Sequence, residues 1–140
     1  MSQENVQIVR QFLAAFIEVD EGLADLQRLA EFYSPDGTFD LGAYSGWPGQ
    51  TTFRGLDEFL EFRASWMEPY DDWSYEAKEI LDAGASRVVV TLHQRGRPRD
   101  SDSWVEMDYS IVYTVEGGLI RRAKVYATPD EALEAAGLPE

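Results

Sequence analysis

Glu79, Tyr109, Tyr113 and Arg121 are the side chains whose types and positions point to acid/base work. A carboxylate or a phenol can exchange a proton with an acidic carbon, and a guanidinium can stabilise the oxyanion that develops. All four fall in β-rich runs, where alternation decides whether a residue faces an interior or water. Tyr109 and Tyr113 lie four apart in one run and so share a face. Glu79 stays open between interior and water, because the register of its run is open.

Other chemistry is thinner. His93 is the only histidine and cysteine is absent, which leaves no multi-histidine metal site, no thiolate ligand and no thiol nucleophile. Asp71-Asp72 lacks the oxygen-rich spacing of a calcium loop, so neither a metal nor a cofactor is expected. Gly117-Gly118 precedes no helix and reads as a hairpin turn, not a phosphate cradle. Arg95, Arg97 and Arg99 read as a solvated loop opposed by Asp100 and Asp102. Tyr44 and Trp47, in a glycine-rich loop, are either a lid over a pocket mouth or plain packing.

Composition sets the frame. The 140 residues suffice for one domain, residues 1–140, and 44% hydrophobic with 13% aromatic content supports a packed interior. With 26 acidic against 12 basic residues the net charge is −14, which disfavours nucleic-acid binding by phosphate repulsion. No apolar run reaches the roughly 20 residues that span a bilayer, and the N-terminus has no basic segment before an apolar core. A cytoplasmic protein with no membrane partner is expected.

The elements that must position the candidates follow from periodicity. Val6, Val9, Phe12, Leu13, Phe16 and Ile17 form a helical stripe, and Leu23, Leu26, Leu29, Ala30 and Tyr33 a second, shorter one. Ser34-Pro35-Asp36-Gly37 is a turn, Thr38–Leu41 a short strand and 42–50 a loop. A third helix opens at Gly55, carries Leu56, Phe59, Leu60, Arg63, Trp66 and Met67 at helical spacing, and ends before Pro69. Runs 73–81, 87–95, 104–115 and 119–127 then read as an antiparallel meander, and Thr128-Pro129 caps a short final helix. Helices followed by a sheet indicate an α+β domain.

Turn lengths register the sheet. Treating Glu116-Gly117-Gly118 as a three-residue hairpin loop pairs Val115 with Leu119 and Tyr113 with Arg121. Matching apolar with apolar across the preceding hairpin pairs Val90 with Ile111, Leu92 with Tyr109 and Gln94 with Met107. One face then carries Val90, Leu92, Val105, Met107, Tyr109, Ile111, Tyr113, Ala123 and Val125. The other carries Thr91, His93, Arg95, Glu106, Asp108, Ser110, Arg122 and Lys124. His93 opposite Asp108 reads as part of a cross-strand charge ladder, since nothing apolar surrounds it to shape a pocket. The tyrosine hydroxyls and Gln94 on the apolar face need partners, and a lined cavity is one way to supply them.

The chain resembles the SnoaL-like polyketide-cyclase and ketosteroid-isomerase group of the nuclear-transport-factor-two fold. The resemblance rests on Phe32-Tyr33-Ser34-Pro35-Asp36-Gly37-Thr38-Phe39-Asp40 after two helices and on Phe53-Arg54-Gly55-Leu56-Asp57-Glu58-Phe59 opening the third. Asp82-Ala83-Gly84, Gly117-Gly118-Leu119-Ile120-Arg121-Arg122 and Tyr126 leading into Asp130-Glu131-Ala132-Leu133 complete it over nearly the whole chain. It implies a cone-shaped curved, mostly antiparallel sheet, three N-terminal helices over an apolar pocket, and a short C-terminal helix. It also implies a homodimer through the outer sheet face, where alternating charge suits a twofold interface.

The resemblance does not carry over one reaction. The isomerase carboxylate base falls on Leu41, with Asp40 one residue off; the tyrosine falls on Phe12; the protonated aspartic acid falls on Ile111 or Ser110. An epoxide-hydrolase-like group needs an inner Asp-Arg-Asp set, for which Arg121 has no clear aspartate partners. The expected pocket lining is Phe12, Phe16, Phe39, Leu41, Phe59, Trp66, Val90, Leu92, Tyr109, Ile111, Tyr113, Ala123 and Val125. The expected function is a pocket for a small apolar or aromatic metabolite, with any catalysis a cofactor-free isomerisation, cyclisation or hydrolysis. The alternative is a non-catalytic ligand-binding or assembly module of the same fold.

Overall fold

The first helical stripe forms α1, Ser2–Asp20, and buries Val9, Phe12, Leu13 and Phe16. Ile17, counted in that stripe, stays 41% exposed at its edge. The computed structural model describes residues 2–20, 22, 26–42, 51–84 and 86–137. The predicted second helix is a 3-10 turn, Leu26–Glu31, that buries Leu29. It stops short of Tyr33 because Tyr33 opens strand β1, Tyr33–Asp40, and pairs with Ile120.

Strand β1 therefore contains the Ser34–Gly37 turn as an irregularity: its pairing shifts between Tyr33 and Thr38. Gly37 permits the tight passage, since a Cβ there would lie 2.8 Å from the Tyr33 ring. A short β2, Thr52–Arg54, absent from the sequence expectation, pairs antiparallel with β1 and leads into α2, Gly55–Met67. The meander follows as β3 (Tyr70–Gly84), β4 (Arg87–Pro98), β5 (Val105–Glu116) and β6 (Leu119–Tyr126), then α3 (Pro129–Ala135). Thr128 caps α3, its hydroxyl accepting from the Glu131 amide.

The sheet has six strands in the order β2-β1-β6-β5-β4-β3; β1 and β6 run parallel and the other neighbours antiparallel. The β4–β5 register is the expected one, with Val90 opposite Ile111, Leu92 opposite Tyr109, His93 opposite Asp108 and Gln94 opposite Met107. The β5–β6 register differs from expectation. Gly117 and Gly118 both take positive φ (62° and 78°), so the hairpin has a two-residue turn flanked by Glu116 and Leu119. A bulge beyond Val115–Ile120 then sets Thr114 opposite Arg122 and Tyr113 opposite Ala123.

One sheet face packs under α1, α2 and the 3-10 turn, and its core includes Phe12, Phe39, Phe62, Val90, Ile111 and Tyr113. Part of the opposite face is also covered: Val89 and Val112 pack on Ala132 and Ala136 at α3. Ser110, expected on the polar face, is fully buried and shares a 3.2 Å hydroxyl–hydroxyl bond with Thr91. Val105, expected on the covered face, is 42% exposed at the start of β5. Strand β4 also runs on to Pro98 through what reads as a loop. Arg97 meets Asp72 at 2.8 Å and Arg99 meets Asp71 at 3.6 Å, so the acids opposing these arginines lie on β3 rather than at Asp100 and Asp102.

Candidate functional site

Alternation on β4, β5 and β6 turns Leu92, Tyr109, Ile111, Tyr113, Ala123 and Val125 toward the helices, where they border a cavity of about 80 Å³. One water needs roughly 10–15 Å³, so the space suits something larger. Aromatic rings make most of its wall. Phe12 meets Phe16 edge-on at 4.9 Å, Phe39 meets Phe59 at 4.7 Å, and Tyr33 stacks between Phe12 and Phe59 at 5.9 Å from each. Of the residues expected around a pocket only Val90 does not reach the cavity; it is fully buried in the adjoining core.

Polar groups lie in the wall and next to it; Gln94 is outside the lining and bonds two residues of it. Gln94, 1% exposed, accepts at Oε1 from Trp66 Nε1 at 2.9 Å and from the Tyr109 hydroxyl at 3.2 Å. An indole N–H only donates, so it fixes which end of the amide faces Trp66. The Tyr75 hydroxyl donates to the Leu13 carbonyl at 3.4 Å. The Tyr33 hydroxyl is buried and has no hydrogen-bond partner. Burial pushes both the Tyr33 and Tyr113 phenols well above the usual tyrosine value; nearby Tyr75, Tyr109 and Tyr33 add to the effect at Tyr113. These two phenols therefore stay neutral and offer hydrogen bonds rather than act as bases.

Arg63 is the one charged side chain among the described residues of the lining. Its guanidinium lies 4.5 Å from the Phe16 ring centre and 5.4 Å from that of Trp73. Sequence reasoning placed Arg63 on α2 without giving it a role. The available signal was an arginine inside an apolar stripe, between Phe59 and Trp66. The sequence offers Tyr33 as a polar group on the apolar face, though at the end of a helical stripe rather than on a strand, and the open register of β3 hides Trp73 and Tyr75.

Two catalytic candidates lie elsewhere. A register shift between Ala77 and Glu79 places Glu79 opposite Thr91, on the outer face and exposed. Arg121 is the extra residue of the β5–β6 bulge and is exposed, so it does not oppose Tyr113. Tyr109 and Tyr113 do border the cavity. Asp40 is outside the lining, accepting from Gly42 N at 2.7 Å and lying 3.5 Å from Arg122. Tyr44 and Trp47 lie outside the described residues. Among the described residues, no three His, Asp or Glu side chains group as metal ligands.

The outer face carries a different arrangement. His93 Nδ1 bonds Asp108 at 2.5 Å and Nε2 bonds Glu106 at 2.9 Å. Bonds first to Asp108 and then to Glu106 raise the His93 pKa above its ordinary 6.5. Arg95 approaches Glu106 at 3.5 Å and lies 4.5 Å from the ring centre of Trp104, itself 43% exposed.

The SnoaL-like domain model matches residues 9–123. No curated protein matches the sequence. Solved structures match over almost the full chain. TerC, crystallised with polyporic acid, is 17% identical with a TM-score of 0.72, covering 96% of this chain and 98% of its own. An NTF2-like protein from Burkholderia xenovorans LB400 is 24% identical with a TM-score of 0.68, over 97% and 98%. A protein from Jannaschia sp. CCS1, provisionally a SnoaL-like polyketide cyclase, is 16% identical with a TM-score of 0.68, over 100% and 96%. At these identities the likeness is one of fold.

Proposed function

The chain belongs to the SnoaL-like domain family, and from that premise we propose that its cavity binds a small apolar or aromatic metabolite. The observation that carries this reading is a lining of aromatic rings interrupted by a few placed donors: the Tyr33 and Tyr113 hydroxyls and Arg63. Such a lining stacks on a planar ligand and orients its oxygen atoms. TerC, with polyporic acid, and the Jannaschia relative, with its provisional cyclase assignment, support an organic ligand in this fold.

Any catalysis here would be a cofactor-free isomerisation, cyclisation or hydrolysis. Neutral phenols and a guanidinium polarise a carbonyl and stabilise an enolate, so their contribution is electrophilic. The second reading, a non-catalytic ligand-binding module, is favoured by one feature. No carboxylate or histidine borders the cavity among the described residues. Thermal denaturation against planar polyketides, steroids, terpenoid epoxides and aromatic acids tests the pocket. A ligand at about 100 times its Kd adds about 2.7 kcal/mol. A shift confined to one class supports a pocket and selects substrates for a turnover assay; no shift in any class sinks it. If turnover is found, Tyr109→Phe and Tyr113→Phe should slow it, and unaltered rates would remove both as catalytic residues.

We also propose a homodimer through the part of the outer face that α3 leaves open. Exposed Trp104 beside the Arg95, Glu106, His93 and Asp108 ladder supports it. Light scattering at micromolar concentration should give twice the chain mass; a monomer mass refutes it.

A further inference from the structure

Resting on the pocket proposed above, we infer that its ligand is a one-ring aromatic ketone or aldehyde, and that its carbonyl oxygen accepts from the Tyr33 hydroxyl. Among the described residues, that hydroxyl is the one buried side-chain polar group with no hydrogen-bond partner. Tyr33 is 4% exposed and borders the cavity. Burial keeps its phenol protonated, so a hydrogen is there to give. A buried donor without an acceptor is costly, and a ligand oxygen removes that cost. The Tyr75 and Tyr109 hydroxyls of the same wall have acceptors in the Leu13 carbonyl and Gln94. No such acceptor is built for Tyr33.

The Tyr33 ring is held so that its hydroxyl cannot swing to an acceptor elsewhere. Phe12 and Phe59 stack on it at 5.9 Å each, with interplanar angles of 27° and 7°. One edge lies against Gly37, where a Cβ would come within 2.8 Å of Tyr33 Cε1. This donor stands on β1, away from the α1 position where the isomerase resemblance expects a tyrosine and the chain has Phe12. Size and acceptor count narrow the ligand further. One water needs roughly 10–15 Å³, so a cavity of about 80 Å³ accommodates about five to eight non-hydrogen atoms, the size of one substituted ring. A single donor matches a single acceptor oxygen. A carboxylate brings two oxygens with several acceptor sites, more than one phenol serves, and a net charge of −14 opposes its approach.

The test uses the whole protein, isothermal titration calorimetry and two probes of nearly one shape: acetophenone, and α-methylstyrene, in which a methylene replaces the carbonyl oxygen. Tyr33→Phe should weaken acetophenone about tenfold and leave α-methylstyrene within about twofold. Comparing each probe with itself across the two proteins cancels its own hydration. An unchanged affinity for acetophenone, or an equal loss for both probes, overturns the inference and leaves the pocket reading standing. Tighter binding of benzoate or of two-ring acetonaphthone than of acetophenone does the same. Absence of binding by all four probes overturns both. Should Tyr33→Phe fail to fold, the wild-type protein decides: the carbonyl stretch of bound acetophenone should lie below its value in hexane, and a stretch at the hexane value refutes the donor.

Discussion

Gln94 and His93 are neighbours on β4, and the two faces of the sheet treat them in opposite ways. Gln94 turns inward, is buried, and answers two neutral donors with one amide oxygen. His93 turns outward and sits between two carboxylates. The same contrast holds for titratable groups. The Tyr33 and Tyr113 pKa values rise because burial penalises the phenolate, so these residues stay neutral. The His93 pKa rises because Asp108 and Glu106 hold the imidazolium, so this residue tends to stay charged. An upward shift thus has two physical origins with opposite consequences for charge. The inner face surrounds an aromatic-lined cavity, and the outer face presents charge.

The largest perturbation of this contrast should come from Phe12→Ala. Phe12 is 2% exposed and borders the cavity, so its loss enlarges a space already present. A loss of roughly 3–5 kcal/mol is expected, visible as a melting temperature lower by about 10 °C or more. A change below about 1 kcal/mol would mean that the inner face tolerates voids and is not a packed wall. Next, Gln94→Leu keeps much of the volume and removes the acceptor shared by Trp66 and Tyr109. Urea denaturation should report about 1–3 kcal/mol lost; an unchanged midpoint would show that water or another acceptor takes over.

Tyr33→Phe should act in the other direction. Deleting a buried hydroxyl with no partner is expected to stabilise the ligand-free protein by up to about 1 kcal/mol. A clear loss of stability would reveal a partner for that hydroxyl and weaken the case for a donor awaiting a ligand. His93→Gln should have the smallest effect, confined to the pH profile. A folded pKa above 6.5 contributes stability that is fully present below the unfolded value and is lost as pH rises through the folded one. The difference between wild type and variant should be constant below about pH 6.5 and shrink above it. A pH-independent difference would mean that the carboxylate bonds do not bias the imidazole.

How much of this was legible in the sequence varies with the range of the interaction. On β4 and β5, alternation between apolar and polar residues is so regular that one register separates the faces, and the Val90–Ile111, Leu92–Tyr109 and His93–Asp108 pairs follow from it. Helix stripes likewise name Phe12, Phe16, Phe59 and Trp66 as inward residues. The β5–β6 hairpin shows where such reading stops. Gly-Gly permits either a two-residue or a three-residue turn, and the bulge that re-registers the ladder leaves no mark in the pattern. Arg121 moved from a candidate on the inner face to an exposed bulge on that account. Glu79 moved likewise, through the shift after Ala77.

The amino-acid sequence alone determined the α+β class, the order of the main elements, the central register and the family, because periodicity, turn chemistry and charge are local properties carried by neighbouring residues. The tertiary structure alone decided that Tyr33 belongs to a strand, that α3 covers Val89 and Val112, and that Arg63, Trp73 and Tyr75 join the cavity wall. Each of those depends on bulges and on contacts between distant segments. A single displaced residue in a ladder exchanges inside for outside, and no local pattern records the displacement.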